Sequence, residues 1–156
     1  MSRQSTTIIF MARTRSATPA RLLIDTGAFY AQRDPGDAHH NRARTAFEAL
    51  STAAGEIYST EHIIDETITL LARRESYAYA AMAGEELLTS RVIRWLDATP
   101  ADWKDALRLM RKYADQAVSF TDCISFSLMK RQGIKHVFGF DRHFEAAGFH
   151  LWPPLD

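Results

Sequence analysis

The chain has 156 residues with 19 basic and 19 acidic side chains, which corresponds to a single domain with one core and no net charge. A net charge of zero neither requires nor excludes a nucleic-acid partner, because affinity for phosphates depends on local basic patches. The single cysteine excludes an internal disulfide and favours a reducing, cytoplasmic compartment, and no apolar run approaches the ~20 residues of a membrane span.

Residues 1–20 are expected to form a poorly ordered extension. Their short apolar patch, Ile8–Met11, lies among Ser, Thr and Arg residues and is shorter than the ~7–15 residues of a secretory signal. We therefore place the folded domain at residues 21–156.

The first half of that domain predicts two strands. The apolar run that ends at Asp25 is typical of a buried parallel strand, and Glu56–Thr60 is predicted as a second strand. A helical spacing of apolar residues follows the turn sequence Asp34-Pro-Gly-Asp37, and a second helix follows the Thr60 cap directly. The expected elements are a strand at 21–25, a helix from 38 to a stop at Gly55, a strand at 56–60 and a helix from 61 to 74.

The second half predicts three more strands. Thr99-Pro100 is a strong helix start, since proline lacks only an N–H that the first turn leaves unpaired. Thr121 is expected to cap a helix that is apolar on nearly all sides, and Gly133 ends it. The expected elements are a helix from 76, a strand at 92–96, helices from 100 and over 122–132, and strands at 136–140 and 149–152.

Strands that alternate with helices favour βαβ units. We predict an α/β fold of three α/β/α layers around a central parallel sheet of about five strands. Ligands of such sheets bind beyond the carboxyl ends of the strands. Asp25 and Asp141 each follow the carboxyl end of a predicted strand, where a carboxylate is costly unless it is paired or bound to a cation. The alternative is that each caps the next helix or turn.

Two further acids lie on predicted helices. Glu66 borders a buried stripe, although spacing alone does not separate it from Asp65. The alternative for Glu66 is an ion pair with Arg73 or Arg74. Asp122 falls in the first turn after the expected Thr121 cap, where interaction with the helix dipole is a sufficient structural reason for an acid.

Together the four acids suggest a site for a hard cation, because Mg²⁺ and Mn²⁺ prefer oxygen ligands. The chain has no phosphate-binding glycine loop, no nucleophile elbow and no zinc-ligand spacing. We interpret Cys123 as a core residue, and the adjacent His39 and His40 as surface residues.

Four segments carry a resemblance to a known family. The chain resembles the PIN-domain ribonucleases, specifically the VapC-like toxins of toxin–antitoxin pairs, over residues 21–153. The matching segments, in the family's order, are Leu-Leu-Ile-Asp25-Thr26-Gly-Ala-Phe, Ser-Thr60-Glu-His-Ile-Ile-Asp-Glu66-Thr, Ser119-Phe-Thr121-Asp122-Cys and Phe140-Asp141-Arg-His-Phe144.

The resemblance implies a PIN-like fold in which Asp25, Glu66, Asp122 and Asp141 bind Mg²⁺ or Mn²⁺ and serve as the catalytic acids, so it selects Glu66 over Asp65. It also implies that the hydroxyls of Thr26 and Thr121 help to position the metal or phosphate. Gly139-Phe140 departs from the family pattern, which often has a threonine before the last acid. We expect Asp115, upstream of the third motif, to pair with Arg111 or Lys112.

The activity that the resemblance implies is endoribonuclease cleavage of single-stranded or structured RNA, leaving a 5′-phosphate. It further implies a homodimer and a small antitoxin protein that blocks the cleft, and the aromatic residues within 77–113 are a candidate groove for that partner.

Two alternatives come from other functional classes. A non-catalytic PIN-like module that binds RNA or a protein is compatible with the neutral net charge, although the presence of all four acids argues against it. A haloacid-dehalogenase-like phosphatase also has an aspartate after its first strand, but it needs a second aspartate where this chain has Gly27.

Overall fold

The structure is a computed structural model that describes residues 17–156. Over that part of the chain, five strands are separated by helices. The strands are β1 (Arg21–Ile24), β2 (Glu56–Thr60), β3 (Ile93–Leu96), β4 (His136–Phe138) and β5 (His150–Leu151). The helices are α1 (Thr26–Arg33), α2 (His40–Ser51), α3 (Glu61–Arg74), α4 (Tyr77–Leu88), α5 (Pro100–Lys112), α6 (Phe120–Gln132) and α7 (His143–Ala146), with a short 3₁₀ helix at Ala114–Gln116.

All five strands lie parallel in one sheet, in the order β3-β2-β1-β4-β5. This arrangement confirms the predicted α/β class and the predicted five-stranded parallel sheet. The chain builds outward from β1 through β2 and β3, and then returns to the other side of β1 with β4. The gap between the ends of β1 and β4 is therefore the point where the strand order reverses, which is where open parallel sheets bind ligands.

The core explains why β1 is central. Its Leu22, Leu23 and Ile24 are almost completely buried, as a strand covered by helices on both faces must be. On α6 most side chains are buried as well, among them Cys123, so the prediction that this cysteine is a core residue is confirmed. The fold thus holds β1 and α6 rigidly, and both carry acids of the predicted site.

Helix α1 was not predicted, and neither were the short helix α7 and the 3₁₀ helix at Ala114–Gln116. Residues 26–33 form α1 directly after Asp25, with Ala28 and Phe29 in the core. The helix that follows begins at His40 and ends at Ser51, before the predicted stop at Gly55. Gly55 has a different role, because a Cβ there would lie 2.7 Å from the Pro19 carbonyl oxygen.

Three element boundaries also differ from prediction. The side chain of Ser119, not Thr121, caps α6, accepting the Asp122 N–H at 3.1 Å, so the helix begins at Phe120. The fourth strand ends at Phe138, since Phe140 turns away to stack on the ring of His39 at 4.2 Å. Asp141 therefore lies in a loop beyond the strand instead of at its end. The fifth strand is shorter than predicted.

The expected N-terminal extension lies mostly outside the described residues, which begin at Ala17. Close to β1, the Ala20 carbonyl accepts the Glu56 N–H at 2.8 Å. Among residues 17–156, no helix combines the length and the apolar character that a membrane crossing needs.

Candidate active site

Asp25 follows β1 at the centre of the sheet and is 6% exposed. Its backbone N–H donates to the Phe138 carbonyl at 2.9 Å, so the ends of β1 and β4 are joined at this residue. Gly139 lies against the Asp25 side chain, and a Cβ at Gly139 would be 3.2 Å from the Asp25 Cβ. The glycine that departs from the family pattern thus leaves room for the buried carboxylate.

Asp122 projects from the first turn of α6 and is 8% exposed. The Ser119 cap and the buried faces of α6 hold this turn in place. The helix N-terminus stabilises a negative charge at this position, but burial and the neighbouring carboxylates outweigh this effect and raise the pKa of Asp122.

Glu66 reaches the same region from α3. Its carboxylate accepts a hydrogen bond from the Thr26 hydroxyl at 3.0 Å, although the residue as a whole is exposed. Asp65 is not among the residues that line the cleft, so the fold distinguishes the two neighbours. Within the described part of the chain, Glu66 forms no ion pair with Arg73 or Arg74.

Asp141 lies in the loop between β4 and α7. Its Oδ1 accepts the backbone N–H of His143 at 2.9 Å, a local bond that fixes an aspartate in a turn. The imidazole Nδ1 of His143 is 3.2 Å from this oxygen and 3.7 Å from Asp122 Oδ2. The sequence interpretation did not single out His143; its position two residues after Asp141 was the available indication.

All four predicted acids line one open cleft of about 580 Å³. Thr26, Ser119, Arg142 and His143 line it as well, whereas Thr121 does not. The Arg142 guanidinium donates to Glu145 at 2.9 Å, so it is already engaged with an acid outside the cluster.

The structure contradicts two smaller expectations. Asp115 is exposed and, among residues 17–156, forms no ion pair with Arg111 or Lys112. The two adjacent histidines are half-buried rather than surface residues: His39 stacks on Phe140, and His40 Nδ1 lies 2.7 Å from the Ala31 carbonyl oxygen.

The carboxylates raise one another's pKa values. Burial, and then the charge of Asp122, hold the pKa of Asp25 well above its usual range. Burial, and then the charge of Asp141, raise the pKa of Asp122 to about 6. Full ionisation of this cluster therefore needs a compensating positive charge.

The donor set suits a divalent cation. Four carboxylates and one imidazole face a single cleft, and ligand atoms of Asp122, Asp141 and His143 all lie within 4.8 Å of one another. Carboxylate oxygens are the preferred ligands of Mg²⁺ and Mn²⁺, so these residues fit such an ion.

The fold and the cleft define a class of α/β proteins that gather acids at the carboxyl edge of a parallel sheet. The family model described as the PIN domain matches residues 22–150, and the chain belongs to the PIN-domain family.

Two relatives are named ribonucleases. The chain is 30% identical over 128 residues to the 23S rRNA-specific endonuclease VapC20 of Mycobacterium tuberculosis, covering 82% of this chain and 95% of that protein. It is 28% identical over 138 residues to a VapC ribonuclease of Archaeoglobus fulgidus, covering 86% of each.

Solved structures agree with this assignment. The crystal structure of VapC20, described as a sarcin-ricin loop cleaving toxin, aligns with a TM-score of 0.74 over 82% of this chain and 95% of that one. The VapBC2 structure from Rickettsia felis, bound to a promoter DNA fragment, aligns with a TM-score of 0.63 over 84% of this chain and 96% of that one. The sequence identity is 10%, so this structure supports the fold alone.

Proposed function

We propose that this protein is a metal-dependent endoribonuclease, the toxin of a toxin–antitoxin pair, whose catalytic acids are Asp25, Glu66, Asp122 and Asp141. The observation that carries the proposal is the convergence of all four carboxylates on one cleft. Two of them are buried with raised pKa values, an arrangement that costs free energy unless it serves a bound charge. The names of the two relatives support ribonuclease chemistry.

The position of each residue in the fold indicates its proposed role. Asp25 and Asp122 would hold Mg²⁺ or Mn²⁺ from rigid elements, and Asp141 would complete the site from its loop. The Thr26 hydroxyl orients the Glu66 carboxylate through the 3.0 Å hydrogen bond. A bound cation would supply charge stabilisation at a phosphate and would lower the pKa of a nearby water. Thr121, outside the cleft lining, is proposed only as an auxiliary support.

The proposed substrate is single-stranded or structured RNA. Because VapC20 is named for 23S rRNA and described as cleaving the sarcin-ricin loop, that loop is the first substrate to test. The proposed compartment is the cytoplasm, where a single buried thiol stays reduced.

We also propose a small antitoxin and a second copy of the chain as partners. Large apolar side chains are exposed on α4, on α5 and next to β3, where partner surfaces are expected. They are Tyr77, Met82, Leu88, Val92, Trp103, Leu107 and Met110.

The decisive experiment compares RNA cleavage by the wild type, Asp25→Asn and Asp115→Asn with Mg²⁺ or Mn²⁺ present. Asp115 is an exposed acid outside the cleft, so its variant controls for loss of one charge. We expect cleavage by the wild type and Asp115→Asn, and none by Asp25→Asn. Equal cleavage by all three would refute the assignment. Calorimetry that detects no Mn²⁺ binding would favour the non-catalytic module instead.

A further inference from the structure

The imidazole of His143 lies inside the acidic cleft, although the proposed catalytic acids do not include it. Its Nδ1 is 3.2 Å from Asp141 Oδ1 and 3.7 Å from Asp122 Oδ2. The ring comes from the first residue of α7. A nitrogen therefore faces two carboxylates that α6 and the loop after β4 supply separately.

This nitrogen has no other engagement among residues 17–156. Nδ1 is shielded from solvent and forms no hydrogen bond, because its 3.2 Å approach to Asp141 Oδ1 lacks hydrogen-bond geometry. That carboxylate oxygen already accepts the backbone N–H of His143 at 2.9 Å. A buried polar atom without a partner costs free energy and requires an explanation.

The spacing of the three groups matches the edges of a cation's coordination shell. Adjacent ligands of an octahedral ion at ~2.1 Å lie about 3.0 Å apart, and opposite ligands about 4.2 Å apart. The two measured distances from Nδ1 fall in this range, and one ligand atom from each residue lies within 4.8 Å of the others. The three groups therefore lie close enough together to share one ion.

We infer that His143 supplies a nitrogen ligand to the proposed metal site, beside Asp122 and Asp141, and that this ligand makes the site favour Mn²⁺ over Mg²⁺. Mg²⁺ prefers an all-oxygen shell that retains several waters, whereas first-row transition ions accept imidazole readily. The inference rests on the proposed metal-dependent nuclease and makes its choice of ion specific.

The test is the electron spin echo of Mn²⁺ bound to the untagged full-length protein, in which a directly bonded imidazole nitrogen produces a ¹⁴N modulation. We expect the modulation in the wild type and in His150→Gln, and its loss in His143→Gln. His150 is exposed and outside the cleft, so its variant controls for the loss of one histidine.

Calorimetry with Mn²⁺ and with Mg²⁺ supplies the second readout. Loss of an outer-shell partner already lowers metal affinity roughly tenfold or more, so His143→Gln should weaken Mn²⁺ binding by at least about tenfold. Its effect on Mg²⁺ binding should be much smaller.

The outcomes separate this inference from the proposed function. Mn²⁺ binding without a ¹⁴N modulation, unchanged in His143→Gln, overturns the role of His143 and leaves a metal site made of acids. Absence of Mn²⁺ binding in the wild type overturns the metal-dependent nuclease itself. Circular dichroism of both histidine variants verifies that they are folded.

Discussion

Replacement of Asp122 by asparagine should stabilise the metal-free protein while it removes metal binding. The aspartate is 8% exposed, and the charges of Asp141 and Glu66 add to the effect of burial in raising its pKa to about 6. Asparagine has nearly the same shape and no charge, so it relieves the repulsion without opening a cavity. A site that is costly without its ligand is typical of residues retained for function.

The size of the effect follows from proton linkage. A pKa raised from 3.8 in the unfolded chain to about 6 in the folded protein is worth about 3 kcal/mol. The folded state binds the proton more tightly, so this free energy supports folding below about pH 4 and is lost as the pH rises through about 6. This shift already includes any favourable interaction of the charge with the N-terminus of α6. The gain for Asp122→Asn is therefore up to about 3 kcal/mol at neutral pH, or about 6–12 °C in Tm for a chain of this size.

The assay is thermal unfolding in a chelator across this pH range, for the wild type, Asp122→Asn and the exposed control Asp115→Asn. The Tm gap between Asp122→Asn and the wild type should be near zero at about pH 4 and full at about pH 7.5. Added Mn²⁺ should raise the Tm of the wild type but not that of Asp122→Asn, since a ligand stabilises only the state that binds it. A gap that is independent of pH, or no gap at neutral pH, would refute the electrostatic reasoning.

Three other substitutions test separate parts of the structure. Thr26→Val should reduce the rate of single-turnover RNA cleavage by roughly tenfold to a hundredfold, as the loss of an orienting hydrogen bond does. Thr26→Ser keeps the hydroxyl and should retain the wild-type rate. Equal rates for the wild type and both variants would contradict the orienting role. Gly139→Ala places a Cβ 3.2 Å from that of Asp25, so it should weaken Mn²⁺ binding measured by calorimetry and lower the free energy of unfolding by about 1 kcal/mol; unchanged binding would show that the loop yields instead. Arg131→Ala removes a 3.0 Å ion pair from the buried Asp102. Because the Arg131 side chain is 44% exposed and Asp102 keeps its hydrogen bonds from Thr99, the substitution should lower the free energy of unfolding in urea by about 1–2 kcal/mol without changing Mn²⁺ affinity. An unchanged unfolding midpoint would count against the ion pair's contribution.

Local patterns predicted those elements whose causes are local. Thr60 caps α3 by accepting the Ile63 N–H at 3.0 Å, as its place before an apolar stripe indicated. Thr99-Pro100 begins α5 with a complete capping box. The cap of α6 was misplaced by two residues, because Ser119 and Thr121 are both suitable residues and only the packing of the helix selects one.

The acidic site also combines features with local causes and features that depend on tertiary packing. The sequence by itself determined that Asp25 follows a buried strand and that Asp122 lies in the first turn of an apolar helix, because strand burial and helix ends are encoded by neighbouring residues. The family resemblance selected Glu66 over Asp65. In the structure, the Glu66 carboxylate accepts a hydrogen bond from the Thr26 hydroxyl at 3.0 Å.

Only the tertiary structure decided which groups meet. The strand order places β1 beside both β2 and β4, so Asp25 meets the loop after β4, and the fold directs α6 towards the same edge. The proximity of His143 to Asp122 also depends on this arrangement. His143 begins a four-residue helix that follows a three-residue strand, and segments this short have no recognisable periodicity in the sequence. A set of ligands drawn from distant segments depends on strand register and helix packing, and neither is a property of any local stretch of sequence.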